Sequence, residues 1–285
     1  MAQAEDNLRR DNKETMAKTG RAEEKSVNRA TRLTAPLIYE VVRRDGAEEM
    51  TRPKSSLVFS GLAAGVLISF SIITEAILRA YLPQDATWVP LVESFGYTAG
   101  FLLVILGRMQ LFTENTITTV LPLMAHPCSE YLWLTCRLWM IVLAANVVGA
   151  FVAAGFIGYS GVFGPEVLSA VHAISEHATT MPAFEGFVKG MPAGVLIAAI
   201  VWMIPTQPQN PFFIIFFFTW LISAGDFTHI IAGSVEMAYM MLHHSLGIMD
   251  AIFGFFIPVF LGNVAGGTVV FTLITWGQVK EEVES

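Results

Sequence analysis

Asp226 and His229 stand in the segment GDFTHIIAGS (225–234), in the middle of a run from Phe212 to Leu242 that is otherwise almost entirely apolar. Ionisable side chains inside a membrane span are costly, and where they occur they mark solute pathways or proton relays. Imidazole suits the second task, because its unperturbed pKa of about 6.5 lets it hold or release a proton near neutrality. His229 follows a Gly–Asp pair that should break the helix, so a new helix is expected to start there. Exposed N–H groups at a helix start favour an anion. Asp226, at the break itself, reads as the N-cap of that new helix. Thr228 can cap, reach His229 or meet a solute.

A second polar interruption, GRMQLFTENT (107–116), lies in another apolar run. It offers a further helix start around Thr113. Glu114 and Asn115, with Arg108, read as partners for irregular backbone, since backbone groups freed within a bilayer must be satisfied by protein.

The elements that must position these groups are membrane helices. The 285-residue chain is 54% hydrophobic and only 14% charged, well short of the quarter or so charged residues of a soluble domain. Of its 17 Lys and Arg, 12 precede residue 55. Runs long enough to span a bilayer, roughly 20 apolar residues, occur at 56–80, 92–124, 132–158, 187–204, 211–242 and 250–276. Six spans follow, the second and fifth interrupted. Residues 1–54 form a charged tail, 55–277 the membrane domain and 278–285 a short C-terminal tail. The positive-inside rule puts both termini in the cytoplasm. The connection 159–186, with Glu166, Glu176 and Glu185 but no Lys or Arg, falls outside. Within the tail, LTAPLIYEVVRRDGAEEM (33–50) has an amphipathic helical pattern. The N-terminus has no signal-peptide core, so the first span should direct insertion.

The two halves resemble each other at three places in the same order. GLAAGVLI (61–68) matches GMPAGVLI (190–197) in six of eight positions. Phe112-Thr113 echoes Phe227-Thr228, and ANVVGA (145–150) echoes GNVAGG (262–267). Three spans per unit force the second unit into opposite orientation, an inverted 3+3 repeat whose broken helices meet near the midplane. The recurring glycines let helix backbones approach closely. Asn146 and Asn263 can hydrogen-bond across helices or hold the broken segments.

Enzyme chemistry is not indicated: no phosphate loop, nucleophile elbow or metal-spaced His/Cys/Glu cluster is present. Cys128 and Cys136 read as free thiols, and no cofactor, metal or nucleic-acid partner is expected. The mixed-sign tail reads as solvated.

LFTENT, ANVVGA, VWM (201–203), DFTHIIA and IPVFLGNVAGG (257–267), in that order, resemble the formate–nitrite transporter family over residues 53–277. The longer forms GRMQLFTENTITTVLP and GDFTHIIAGSVE resemble its YfdC-type branch. The resemblance implies an all-α, aquaporin-like, six-helix protomer assembled as a homopentamer in the bacterial inner membrane. Each protomer would pass small weak-acid anions such as formate, nitrite or hydrosulfide. It also implies that His229 is the central pore histidine and Thr113 the loop threonine, with Leu111 and Phe112 before it counted among the pore-facing constriction residues. One apolar constriction would lie at Phe101, with Tyr97 a turn earlier, and the other at Ile222, with Phe227 close by. The chain departs from the family pattern where Gly194 replaces a polar Asn, Thr228 a Glu and Gly233 an Asn, and where Glu236 is added.

A bare anion at the bilayer centre is heavily penalised. The expected mechanism is therefore passage as the acid, or with a proton shared by His229. A pore for water or small polyols on the same architecture remains an alternative, as does a non-transporting scaffold or stress factor.

Overall fold

A computed structural model describes residues 33–284, mostly helical and with no strand among the described residues. The charged tail before residue 33 lies outside the described residues. From Pro36 onward the described residues form one compact unit. Helix α1 (Ala35–Thr51) opens it; α2 (Lys54–Leu67) and α3 (Ser69–Tyr81) then run on as one apolar rod. Next come α4 (Val89–Leu106), the short α5 (Phe112–Thr118) and α6 (Val120–Ala125), and the long α7 (Ser129–Tyr159). The second half is built from α8 (Pro165–Thr179), α9 (Ala183–Met203), α10 (Phe212–Ala224) and α11 (Ile230–Leu242). The last rod contains two π-helical stretches, 250–256 and 265–272, around α12 (Ile257–Val264), and ends in α13 (Leu273–Glu284).

Five of these helical stretches are long and apolar enough to cross a membrane: Lys54–Tyr81, Val89–Leu106, Ser129–Tyr159, Ala183–Thr206 and Asp250–Val283. The run 211–242 is divided into two 13-residue helices, α10 and α11. The run 92–124 is divided after Leu106. Both interruptions therefore fall where the polar insertions stand. The connection 159–186, read from sequence only as a polar link, is largely helix: α8 packs against α3 and α11 and buries Val167, Ala170, Val171 and Ile174.

The two breaks share one backbone design. α4 closes with Gly107 and then Arg108 at φ 51°; α10 closes with Gly225 and then Asp226 at φ 53°. The left-handed residue turns the chain so that the next N–H groups reach back to the helix's last carbonyls. Thus Arg108 donates to Ile105 at 3.1 Å and Met109 to Val104 at 3.0 Å, as Asp226 donates to Ser223 and Phe227 to Ile222, both at 2.9 Å. The new helices then start from extended residues, Leu111 (φ −102°, ψ 125°) and His229 (φ −111°, ψ 125°).

This register corrects one of the sequence matches. Phe112 corresponds to Ile230 and Leu111 to His229, so the Phe-Thr pairs at 112–113 and 227–228 are not equivalent. Sequence similarity followed the side chains, whereas the correspondence is set by the position of the left-handed residue.

Asn146 and Asn263 clamp the breaks in the same way. Asn146 Oδ1 accepts from the Phe112 N–H at 2.9 Å, and its amide donates to the carbonyls of Gly61 at 2.8 Å and Gln110 at 2.9 Å. Asn263 Oδ1 accepts from the Ile230 N–H at 2.9 Å, and its amide donates to Gly190 at 2.9 Å and Thr228 at 2.8 Å. Both side chains are fully buried. The clamps need close helix contact. A Cβ on Gly65 would overlap the Asn146 carbonyl, and one on Gly194 the Asn263 carbonyl. Here the absence of a side chain is a packing requirement, and no unusual φ is involved.

Candidate functional site

His229 is fixed from both sides of its ring. Its Nδ1 accepts the Ala232 N–H at 3.3 Å, which makes His229 itself the N-cap of α11. A ring nitrogen that accepts carries no proton, so the hydrogen of the neutral ring sits on Nε2. Nε2 then donates to Thr113 Oγ1 at 2.8 Å. The bond joins the second residue of α5 to the residue that starts α11, both within a fully protein-lined interior. Phe101 stands edge-on to the imidazole, with ring centroids 4.9 Å apart, and Tyr97 lies 5.2 Å from Phe101.

Asp226 does not cap α11, contrary to the sequence expectation. It occupies the left-handed position that ends α10, three residues too early to reach the α11 N–H groups, and its carboxylate points to the outside of the break. Asp226 Oδ2 accepts from Lys189 Nζ at 2.6 Å and Oδ1 meets His177 Nε2 at 3.0 Å. Lys189 also pairs with Glu185 at 2.8 Å. Neither Lys189 nor this ion-pair group was singled out from sequence. The signal was present as Glu185 and Lys189 one helical turn apart.

Two cavities lie on either side of the His229–Thr113 bond. The larger, about 410 Å³, is on the side of α1 and includes Asp45, Glu49, Arg108, Gln110, Glu114 and Thr118. The smaller, about 90 Å³, is on the far side, with Glu75, Tyr97, Phe227, Thr228, His229 and Glu236 among its lining residues. Along α4, Tyr97 faces the far cavity and Ile105 the near one, so fully buried Phe101 falls between them. Leu111 and Ile222 are also fully buried in the core.

Phe112 is placed elsewhere than expected. It lines neither cavity but packs on Trp139 at 5.5 Å and Phe260 at 5.4 Å, because the Asn146 clamp turns its helix position toward α7 and α12. Thr228 lines the far cavity, yet its hydroxyl donates to the Gly186 carbonyl at 2.9 Å and so ties the break to α9.

The near-side break is held by a residue the sequence reading passed over. Glu49, on α1, accepts from Thr118 Oγ1 at 2.8 Å, from Gln110 Nε2 at 3.0 Å and from Asn115 Nδ2 at 3.3 Å. Arg137 adds a bond to the Met50 carbonyl at 2.5 Å. Gly46 lets the helix approach, since a Cβ there would overlap the Thr118 carbonyl oxygen. The available signal was the spacing of Val42, Gly46 and Glu49 on one face of α1.

Burial pushes the Glu49 carboxyl above the ordinary carboxylate range, partly offset by the bonds from Thr118 and Gln110. A carboxyl so raised makes docking of α1 strongest at low pH, and the contribution is lost as pH rises through the raised value. Asp45, also raised chiefly by burial, acts in the same direction. Glu40, held at about 2 by its bond to Arg43, does not titrate in that window. The protection factors of the α1 amides, taken relative to intrinsic exchange at each pH, are therefore expected to be larger at mildly acidic pH than at neutral pH. Glu49→Gln should flatten the dependence to the Asp45 part. Equal pH dependence in the two proteins would reject this assignment.

The model of the formate/nitrite transporter family matches residues 36–277. The chain is 37% identical over 251 residues to "Inner membrane protein YfdC" of Escherichia coli (strain K12), an alignment covering 88% of this chain and 81% of that protein. Among solved structures, an "FNT family ion channel" matches with a TM-score of 0.75 at 23% identity, covering 85% of this chain and 98% of that one. A "Pentameric formate channel with formate bound" matches with a TM-score of 0.69 at 19% identity, covering 80% and 98%. At these identities the two structures establish likeness of fold.

Proposed function

This chain belongs to the formate/nitrite transporter family, and on that premise we propose that it is a membrane channel for small monovalent anions of weak acids, with His229 sharing the proton. The observation that carries the reading is the His229 Nε2–Thr113 Oγ1 bond, placed between two cavities on opposite sides of the protein. A solute crossing from one cavity to the other must pass this pair and Phe101. Apolar walls penalise a bare charge there, so passage is favoured for the neutral acid or for an anion that takes a hydrogen bond from the imidazole. The 13-residue helix α11, starting at this point, adds a favourable field for negative charge on the approach.

The matched breaks and Asn clamps support six spans arranged as an inverted 3+3 repeat, with α10 and α11 together making the fifth. The excess of Lys and Arg before residue 55 supports cytoplasmic termini. The near cavity then opens to the cytoplasm and the far one to the outside. A bacterial inner membrane is supported by the name of the YfdC relative, and a homopentamer by the description of the pentameric neighbour.

A second reading, a pore for small uncharged solutes, is favoured by the pairing at the far mouth. Lys189 is engaged by Asp226 and Glu185, and Arg79 lies 3.8 Å from Glu93. The experiment is uptake by sealed liposomes containing the purified protein. Formate, nitrite and hydrosulfide uptake at about pH 5.5 and about pH 7.5 is set against osmotic swelling in glycerol. Anion uptake that rises with acid supports the channel proposed. Swelling without anion uptake replaces it by the second reading.

A further inference from the structure

Three carboxylates line the far cavity: Asp226 is held by Lys189 and His177, whereas Glu75 and Glu236 are not by themselves required for passage past His229. His229, Gly233 and Glu236 follow one another along one face of α11, and all three line the cavity. Glu75 enters from α3 and accepts from Ser223 Oγ at 3.0 Å. Glu236 is 7% exposed, and among the described residues no hydrogen bond or ion pair engages its carboxylate. A group so enclosed and unpartnered is aimed at whatever enters the cavity.

The surrounding charges are committed elsewhere. On α3, Arg79 faces Glu93 of α4; on α9, Lys189 lies between Asp226 and Glu185. On α8, His177 meets Asp226, and His172 lies 6.3 Å from the Tyr239 ring of α11. Tyr97 of α4 and His229 complete the titratable groups of the cavity. The charge of Arg79 reaches Glu75 from its place beside Glu93, and among the described residues no cation pairs with Glu236. Two ionised carboxylates in one small, low-dielectric space repel each other and any arriving anion.

We propose that Glu75 and Glu236 are a proton-holding pair that converts the arriving anion to its neutral acid before it meets His229. The proposal rests on the weak-acid channel reading. In the step, a carboxylic acid of the pair gives its proton to the anion A⁻, leaving a carboxylate and HA. The O–H bond of the side chain breaks as that of HA forms, with no change of oxidation state. The outer solution returns the proton. The cavity thus selects small solutes that can receive and then donate one hydrogen.

The test uses the full-length protein in liposomes, with formate as the probe, for wild type, Glu75→Gln, Glu236→Gln and the double variant. Without the pair only acid already formed in bulk can enter, so uptake in the double variant should fall about tenfold per pH unit across the neutral range. Wild type should fall less steeply, and its uptake at neutral pH should exceed that of the double variant several-fold. Coinciding profiles would overturn the proposal. Infrared difference spectra of the same samples give a readout independent of transport. A carboxylic-acid C=O band in wild type at neutral pH, absent from the double variant, supports the pair; no difference between them overturns it. Wild-type protein that keeps this band yet takes up no formate at any pH removes the weak-acid reading, and with it the conversion step, while leaving the protonated pair established. Glutamine preserves side-chain size, and size-exclusion elution identifies a variant that has misfolded.

Discussion

Replacing His229 by Asn is expected to leave the protein folded and to cut acid-stimulated formate uptake by roughly 10–100-fold, the equivalent of one hydrogen bond to a charged group. The choice of Asn separates the two tasks the residue performs. As N-cap of α11, His229 accepts from the Ala232 N–H, and Asn is among the best capping residues. As the group facing Thr113 it presents an N–H whose ring can exchange protons, which an amide cannot do near neutrality. Thermal stability in detergent should therefore stay within a few degrees of wild type while the pH response disappears. His229→Phe should lose both the cap and the pH response. Thr113→Val, which removes the acceptor but leaves the imidazole, should reduce uptake less than His229→Asn. Undiminished uptake in His229→Asn, with the same pH response, would remove the residue from the proposed mechanism.

The largest expected stability effect lies at the two Asn clamps. Asn263→Ala deletes three buried hydrogen bonds at once, taking this partner from the Ile230 N–H and the Thr228 carbonyl and a second partner from the helical Gly190 carbonyl. Interhelical bonds in membrane proteins contribute about 0.6 kcal/mol on average and up to about 1.7. Three of them give a loss of roughly 2–5 kcal/mol, with the upper part favoured because partners remain buried and unpaired. Asn146→Ala should cost a similar amount, through Phe112, Gly61 and Gln110. Asn263→Asp keeps the acceptor for Ile230 but loses both donated bonds and buries a charge, so it should be no milder than Ala. Thermal unfolding monitored in detergent measures all three. A change under about 0.5 kcal/mol in both Ala variants would mean that water or neighbouring groups replace the clamps.

The features legible in the sequence were those that contradict their surroundings. His229 could be found because an imidazole in an apolar run demands a reason, and the breaks because GDFTH and GRMQLFTENT interrupt helices otherwise long enough to span. Asn146 and Asn263 could be found because each recurs in a small-residue motif of its own half. What was hidden depended on backbone conformation and distant pairing. Asp226 looks like a cap, but a positive φ places it at the end of the preceding helix. Phe112 looks pore-facing beside Thr113, but the Asn146 clamp rotates it onto Trp139 and Phe260. Glu49 resembles any solvated tail charge until Gly46 brings α1 against Thr118. The helix in 159–186 was obscured because its apolar face is short and its Glu residues speak to the side of the membrane, not to conformation.

The Asn clamps also bear on how the protein can be made. Asn146 bonds only within the first half, to positions 61, 110 and 112, and Asn263 only within the second, to 190, 228 and 230. Each break is thus completed by residues its own half supplies as it leaves the ribosome. The His229–Thr113 bond, by contrast, joins residues 116 positions apart and waits for the second half. Synthesis can therefore build the two clamps first and the His229–Thr113 bond last. A chain severed between α7 and α8, at exposed Ser160–Gly161, keeps both clamps intact. Two such fragments produced together are expected to reassociate, and the His229–Thr113 bond forms only when they do.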